Sequence, residues 1–569
     1  MSGRSSFISR PWRLLRWAGL AAAVPALWAC TSRTLEAPIV TPTQAVTQKV
    51  TQKINSNIDI LFMIDNSSSM TSMQTKLITQ LPIFMQVLAA LPMGLPSVHV
   101  AVVSCDMGAP SDAMIGCATT TAGSDDGKFY TAPEGTCTSN DFTTPTDMYI
   151  QDDAAGTTKN FSDPDNGTGA GLAKVFSCIA LLGSNGCGFE HQLASIDRAL
   201  GSDGAGPPTD PTFLRDDAYL GIVMLTNEDD CSAPAQNNGM GEPIYSLEGG
   251  DNTLTGPGAG PGGPVGNYRC NGVPYGGHKC VDTTPGSTNM TLQQPPLFEP
   301  ADATANGDVA NFSNCVPDDD STSALIPVST FISDIQSLKS DPLNQILVAA
   351  VTGVNHTDPA NPNTIVPNST TLTPTPYNVT WAVPSSGASA AIGEKVPNVN
   401  HLCGPTSDMS FADPAVRISA FVNAFGANGV LASICDDSYS SSMAAIAAKI
   451  GALISPKCIA GTIQQDASGN PNCTVINEFK INGSPTQLTK TVPSCASSQN
   501  AAPCWQFLAA GATGNNCGTM GQALSVSADP MNPNPDSLDS LIQCETCVAG
   551  VPTAGCPCLG TSADVAGCL

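Results

Sequence analysis

Positive charge is scarce in this 569-residue chain: 22 Lys and Arg stand against 48 Asp and Glu, a formal net charge of −26. A field of that sign repels phosphate backbones and anionic membrane surfaces and attracts cations, so it argues against nucleic-acid binding. Histidine is scarcer still. His99, His191, His278, His356 and His401 are the whole set, and none stands in an HExxH pattern. His191 follows Glu190, but neighbouring residues on a helix point apart. Neither GxSxG nor GxxxxGK[ST] occurs, so the common hydrolase and nucleotide-binding signatures are missing. A binding module is expected rather than an enzyme. After residue 30 no apolar run is long enough to cross a bilayer.

Glycine, proline and cysteine are plentiful, at 52, 46 and 22 residues, while 41% of the chain is hydrophobic. That mixture predicts a real core carrying long, irregular polar loops. So many cysteines fit an oxidising, extracytoplasmic compartment. The amino terminus agrees. Arg4, Arg10, Arg13 and Arg16 make a basic leader and 17–29 a short apolar stretch, ending Leu27-Trp28-Ala29-Cys30. This resembles a bacterial lipobox, with Cys30 as the lipidated residue and the cell envelope or outer membrane as destination. Trp28 is bulky for that motif, and ordinary cleavage with Cys30 as an incidental thiol is the other reading. Residues 31–55, rich in Thr, Pro, Gln and Val, read as a flexible tether.

The run 57–64 (Asn-Ile-Asp-Ile-Leu-Phe-Met-Ile) reads as a buried strand and ends in Asp65-Asn66-Ser67-Ser68-Ser69. Helical spacing follows at once, with Leu77, Leu81, Phe84, Met85, Leu88 and Leu91 on one side. Further strands are expected at 98–103, 219–225, 346–351 and 429–434, and helices at 193–200, 328–338, 416–425 and 442–453. Strands alternating with helices predict an α/β fold with a doubly wound, mostly parallel sheet. Asp65 then lies at the carboxyl end of a strand, where such sheets place ligands. Ser67 and Ser69, two residues apart in a tight loop, can turn their hydroxyls to one point. Hard oxygens of this kind suit Mg²⁺, Mn²⁺ or Ca²⁺.

Strand, Asp-x-Ser-x-Ser and helix in this order resemble the metal-ion-dependent adhesion site of von Willebrand factor A domains, over roughly residues 56–455. Together with Gly186-Cys187-Gly188-Phe189-Glu190 and Thr226-Asn227-Glu228-Asp229-Asp230-Cys231, the set is similar to A-domain surface lipoproteins of myxobacteria-like organisms. The resemblance implies a divalent cation, Mg²⁺ first, and a protein partner whose acidic group completes the metal shell. It also implies departures. Asn227 stands where the family has Asp, and no Thr is visible in the second loop. Glu228, Asp229 and Asp230 are expected either to replace the missing carboxylate, to hold a second cation, or to be a solvated acidic turn. Glu190 is open to two readings, metal ligand or helix amino-terminal residue. A structural envelope protein, with the domain as a scaffold and the cation as a mere stabiliser, is the alternative function.

The A domain is about twice the usual length. The surplus lies at about 105–176, 232–320 and 354–412. The pairs Cys178–Cys187 and Cys270–Cys280 are candidate disulfides, and Cys105 is a candidate partner for Cys117 or Cys137. Residues 456–569 read as a small, disulfide-stapled, β-rich module, with Trp505 in its core. Cys544-x-x-Cys547 and Cys556-x-Cys558 superficially resemble zinc or redox motifs, but structural disulfides are expected there.

Overall fold

The five apolar runs marked by the sequence become neighbouring strands of one sheet. The structure is a computed structural model. It describes residues 45–49, 57–90, 96–108, 124–130, 148–152, 159–162, 170–234, 276–358, 361–365, 372–383, 393–404, 411–454, 458–480, 488–508, 521–527 and 537–545, apart from a few single or paired positions within these spans. The strands are Ile58–Ile64 (β1), Val98–Val103 (β2), Ile150–Asp152 (β3), Tyr219–Leu225 (β4), Ile346–Thr352 (β5) and Gly429–Ser433 (β6). They lie in the order β6-β5-β4-β1-β2-β3. All neighbours are parallel except β3, a three-residue edge strand antiparallel to β2.

Every residue of β1, β2, β4 and β5 is buried. Parallel strands of this kind are covered on both faces and therefore read as continuous apolar runs. The covering helices are Thr71–Ala89 (α1), Ala170–Ile179 (α2), Gln192–Leu200 (α3), Val328–Ser337 (α4), Val416–Asn423 (α5) and Ser440–Ile454 (α6). Alternate side chains of β1 serve the two faces. Ile58, Ile60, Phe62 and Ile64 pack with α1, α2 and α6. Leu61 and Met63 pack with α3, α4 and α5. The sheet is thus doubly wound, and its strand order reverses direction between β1 and β4.

The expected long loops are partly a second sheet. Val396–Val399, Tyr377–Ala382, Val309–Pro317 and His278–Asp282 form four antiparallel strands in that order, drawn from the second and third insertions. Burial alternates along His278–Asp282 and Tyr377–Ala382, as in a sheet with one covered face. Phe312, Tyr377, Val379, Trp381 and Val399 fill that face. Cys280 is bonded to Cys315 on the paired strand, which corrects the expected Cys270–Cys280 loop; Cys270 lies outside the described residues. The two cysteines sit on adjacent strands with Cα atoms 4.1 Å apart, a contact made by sheet pairing and invisible to sequence spacing.

Towards the carboxyl end, Cys473–Lys480 and Ser537–Glu545 pair antiparallel, flanked by Leu488–Val492 and Ala45–Lys49. The segment 45–49, expected to be tether, is therefore a strand closing this sheet. A three-stranded sheet of Cys458–Ala460, Gly521–Val526 and Trp505–Phe507 lies alongside in the chain. Val475, Val492, Trp505, Leu524 and Ile542 share one apolar cluster. Disulfides join Cys473 to Cys544 and Cys495 to Cys504, so Cys544 is not a zinc thiolate. No described helix is long and apolar enough to cross a membrane. Cys30 lies outside the described residues.

Candidate functional site

At the carboxyl end of β1 the chain enters a one-turn 3-10 helix, Ser68–Met70, that feeds straight into α1. Ser67 is extended (φ −65°, ψ 163°). That geometry leaves Ser68 exposed and turns Ser67 and Ser69 inward, both buried. Their hydroxyl oxygens are 3.2 Å apart. Ser69 Oγ donates to Asn227 Oδ1 at 3.2 Å, across from the end of β4. Three uncharged oxygens from two loops thus converge beside the point where the strand order reverses, the position at which open α/β sheets bind ligands.

Asp65 underpins this trio. It is fully buried. Its Oδ1 accepts from the Ser67 backbone N–H at 2.8 Å and from the Cys105 thiol at 3.4 Å. Its Oδ2 accepts from Thr226 Oγ1 at 2.7 Å. Burial nevertheless raises the Asp65 carboxyl above its ordinary range, outweighing those donors. Gln74 Nε2 donates to the Asp65 carbonyl at 2.7 Å, and Gln192 Nε2 supports Thr226 Oγ1 at 2.9 Å. Thr226, Gln74 and Gln192 were not singled out from sequence, and Cys105 only as a disulfide candidate. Thr226 alone left a signal there: a hydroxyl directly after a buried strand and beside Asn227.

The expected second loop does reach the site. Gly186 N–H donates to the Asn66 carbonyl at 2.8 Å, and a Cβ at Gly186 would lie 2.1 Å from Asn66 Oδ1. Any larger residue there would have to displace the Asn66 amide. Glu190 is buried, and its charge, with that of Asp65, helps burial push the Cys105 thiol well up. Cys105 is a free, buried thiol, which corrects its expected pairing with Cys117 or Cys137. Cys178 and Cys187 are both in disulfides. The amino-terminal N–H groups of Leu193 and Ala194 in α3 go to Asp230 Oδ1 and Ser232 Oγ, each at 3.0 Å. The turn after β4 thus caps α3 at those two positions.

Asp229 and Asp230 face protein donors. Asp230 is paired with Arg417, whose Nη2 and Nε lie 3.0 and 3.1 Å from Oδ2, and both residues are fully buried. Asp229 accepts from His278 Nε2 at 2.7 Å and from the N–H groups of Val416, Arg417 and Ile418 at the start of α5. Burial pushes its carboxyl up, but His278 and these N–H groups win and hold it below the usual range. The two carboxylates anchor helices α3 and α5. Glu228 charge acts on His401, described below.

Among the described residues no three His, Cys, Asp or Glu side chains gather as a metal cluster. The Asp65 site is of another kind, one carboxylate beneath neutral oxygens. Neighbouring oxygens of an octahedral shell at 2.0–2.1 Å lie about 2.9 Å apart, and at calcium distances about 3.4 Å. The 3.2 Å spacings from Ser67 to Ser69 and from Ser69 to Asn227 fall between these. The donor set therefore fits a small hard cation.

No protein-family model matches the chain, and no curated protein matches it. Among solved structures it is similar to the pilus adhesin SpaC of Lactobacillus rhamnosus GG in its open conformation: 10% identity, 88% of this chain against 40% of that one, TM-score 0.25. A second is the pilus adhesin RrgA of Streptococcus pneumoniae: 9% identity, 88% of this chain against 58% of that one, TM-score 0.24. The chain thus spans between two and three fifths of those adhesins, and likenesses this loose carry no functional argument.

Proposed function

We propose that the chain is a metal-dependent protein-binding module of the von Willebrand factor A kind, displayed on the cell envelope through a lipid at Cys30. The observation that carries this is the convergence of Ser67, Ser69 and Asn227 oxygens, at 3.2 Å steps, beside the reversal of strand order. Ser67, Ser69 and Asn227 would hold a divalent cation directly, with Asp65 beneath them acting through water. The cation supplies a vacant coordination position for a partner's carboxylate. The chain's own residues fix the geometry: Thr226, Cys105 and the Ser67 N–H orient Asp65, and Gln74 ties its carbonyl to α1.

The second reading is a scaffold in which a cation only stabilises. It is favoured by one observation: both Asp65 oxygens already accept from protein donors, so the loop closes without a metal. Calorimetric titration of the full chain with Mg²⁺, Mn²⁺ and Ca²⁺, repeated on Asp65→Ala, tests for the cation site, and the two readings then part on whether a chelator abolishes partner binding or only lowers the melting temperature. The expected outcome is one site in the parent and none in the variant, with unchanged circular dichroism. Equal cation uptake by both proteins sinks the metal reading.

A further inference from the structure

The third insertion returns to the sheet through Phe411, Ala412 and Asp413, and this return segment is fastened to the Asn227 loop. Asn227 Nδ2 donates to the Phe411 carbonyl at 3.0 Å, and Asp413 N–H donates to the Asn227 carbonyl at 2.8 Å. On the opposite strand of the same excursion, Leu402 and Cys403 pair with Ala412. A Cys403–Cys435 disulfide then pins the excursion to the chain just beyond β6. His401 is carried by this doubly fastened frame.

Its imidazole stacks on Phe411, with ring centroids 4.1 Å apart and planes at 29°. Nδ1–H donates to Asp413 Oδ1 at 2.5 Å. The Asp413 side chain is 3% exposed and that of His401 26%. The ring is thus held from behind by a buried carboxylate and from one face by an aromatic. No described residue takes its Nε2. The Asp413 hydrogen bond, chiefly, and the Asp413 and Glu228 charges raise the ring's pKa against the opposing effect of burial. A ring with one nitrogen anchored to a carboxylate holds the other in a fixed direction, and that nitrogen donates an N–H when the ring is protonated. The group that suits such a donor is an anion. In a chain of net charge −26, any acidic partner needs a local attractor besides the cation.

We infer that His401, seated on Phe411 and anchored by Asp413, is a second contact for the partner, taking a carboxylate that flanks the one at the metal site. This rests on the metal-site reading above and names the partner's chemistry: an acidic segment with at least two carboxylates.

The test uses the full chain, excess Mg²⁺ and a short fluorescein-labelled polyglutamate peptide, read by anisotropy. Mg²⁺ affinity is titrated separately in every variant. His401→Ala is expected to weaken the peptide about tenfold, the scale of one charge-assisted hydrogen bond, with Mg²⁺ affinity unchanged. His401→Arg is expected to recover the loss. Parent-like peptide affinity in His401→Ala overturns the inference and leaves the metal reading intact. So does a parent chain that takes Mg²⁺ but ignores the peptide. Peptide binding that survives a chelator and Asp65→Ala, yet is lost in His401→Ala, sinks the metal reading and keeps His401 as an anion contact.

Discussion

The loop after β1 holds a single carboxylate among hydroxyls, amides and a thiol, whereas the turn after β4 holds two carboxylates matched by Arg417 and His278. Both are buried, and both lie at the carboxyl edge of the same sheet. Their electrostatics run in opposite directions. Burial dominates at Asp65 and raises its carboxyl, while cationic and N–H partners dominate at Asp229 and lower it. A carboxylate short of positive partners is one that a cation would relieve. A carboxylate already supplied with them is part of the frame. Acidic residues at one edge of the sheet therefore differ in role because of what the fold brings to them, here a helix terminus and an arginine nearly two hundred residues away.

The sharpest way to break this contrast is Arg417→Met. It strands the Asp230 charge in a fully buried site and is expected to cost about 3–5 kcal/mol, read by urea denaturation. A loss below about 1 kcal/mol would mean that the pair does not act as a unit. The second is pH. Asp229 has a folded-state pKa below its unfolded value, so its contribution is present above about pH 4 and is lost as pH falls through the folded value. Asp229→Asn is expected to cost about 1–3 kcal/mol at neutral pH and to flatten the acid limb of the stability profile, measured from roughly pH 5 to pH 3. A parent and variant with parallel acid limbs would contradict this. The smallest effect is expected from Asn227→Asp. It restores the A-domain family's usual carboxylate but sets an oxygen against the Phe411 carbonyl, where the amide now donates. The expected cost is about 1–2 kcal/mol without cation, recovered when Mg²⁺ is added, read as a shift in melting temperature. Insensitivity to Mg²⁺ would count against coordination at position 227.

That hydrogen bond also gives a physical reason for the Asn at 227, which sequence reading registered only as a departure. The central strands were legible because total burial writes itself as unbroken apolar runs: 58–64, 98–103, 219–225 and 346–352 each appear within a residue of their expected bounds. Helices α3 to α6 were visible by the same periodic logic. The edge strand β3 was not, since three residues, Ile-Gln-Asp, carry no period. Nor was the second sheet, whose strands come from excursions separated by α4 and β5. Its pairing, and the Cys280–Cys315 bond with it, depends on which segments meet. At the site, Asp65, Ser67 and Ser69 were readable as a local pattern. Thr226, Cys105 and Gln192 enter through three-dimensional approach and give no such pattern.

Gly353 has a consequence for how the third excursion can change. Its carbonyl accepts from Ala415 N–H at 2.9 Å, and a Cβ there would sit 1.7 Å from the Asp413 carbonyl oxygen. The insertion therefore leaves and re-enters the body of the molecule through one pinched neck, closed by backbone alone. A loop closed at its neck can lengthen at small entropic expense, since each doubling adds only about 0.6 kcal/mol. Segments of the cassette outside the two strands it gives to the second sheet and the Cys403–Cys435 bond are free to be rewritten from one descendant to the next, while the sheet that bears it keeps its shape.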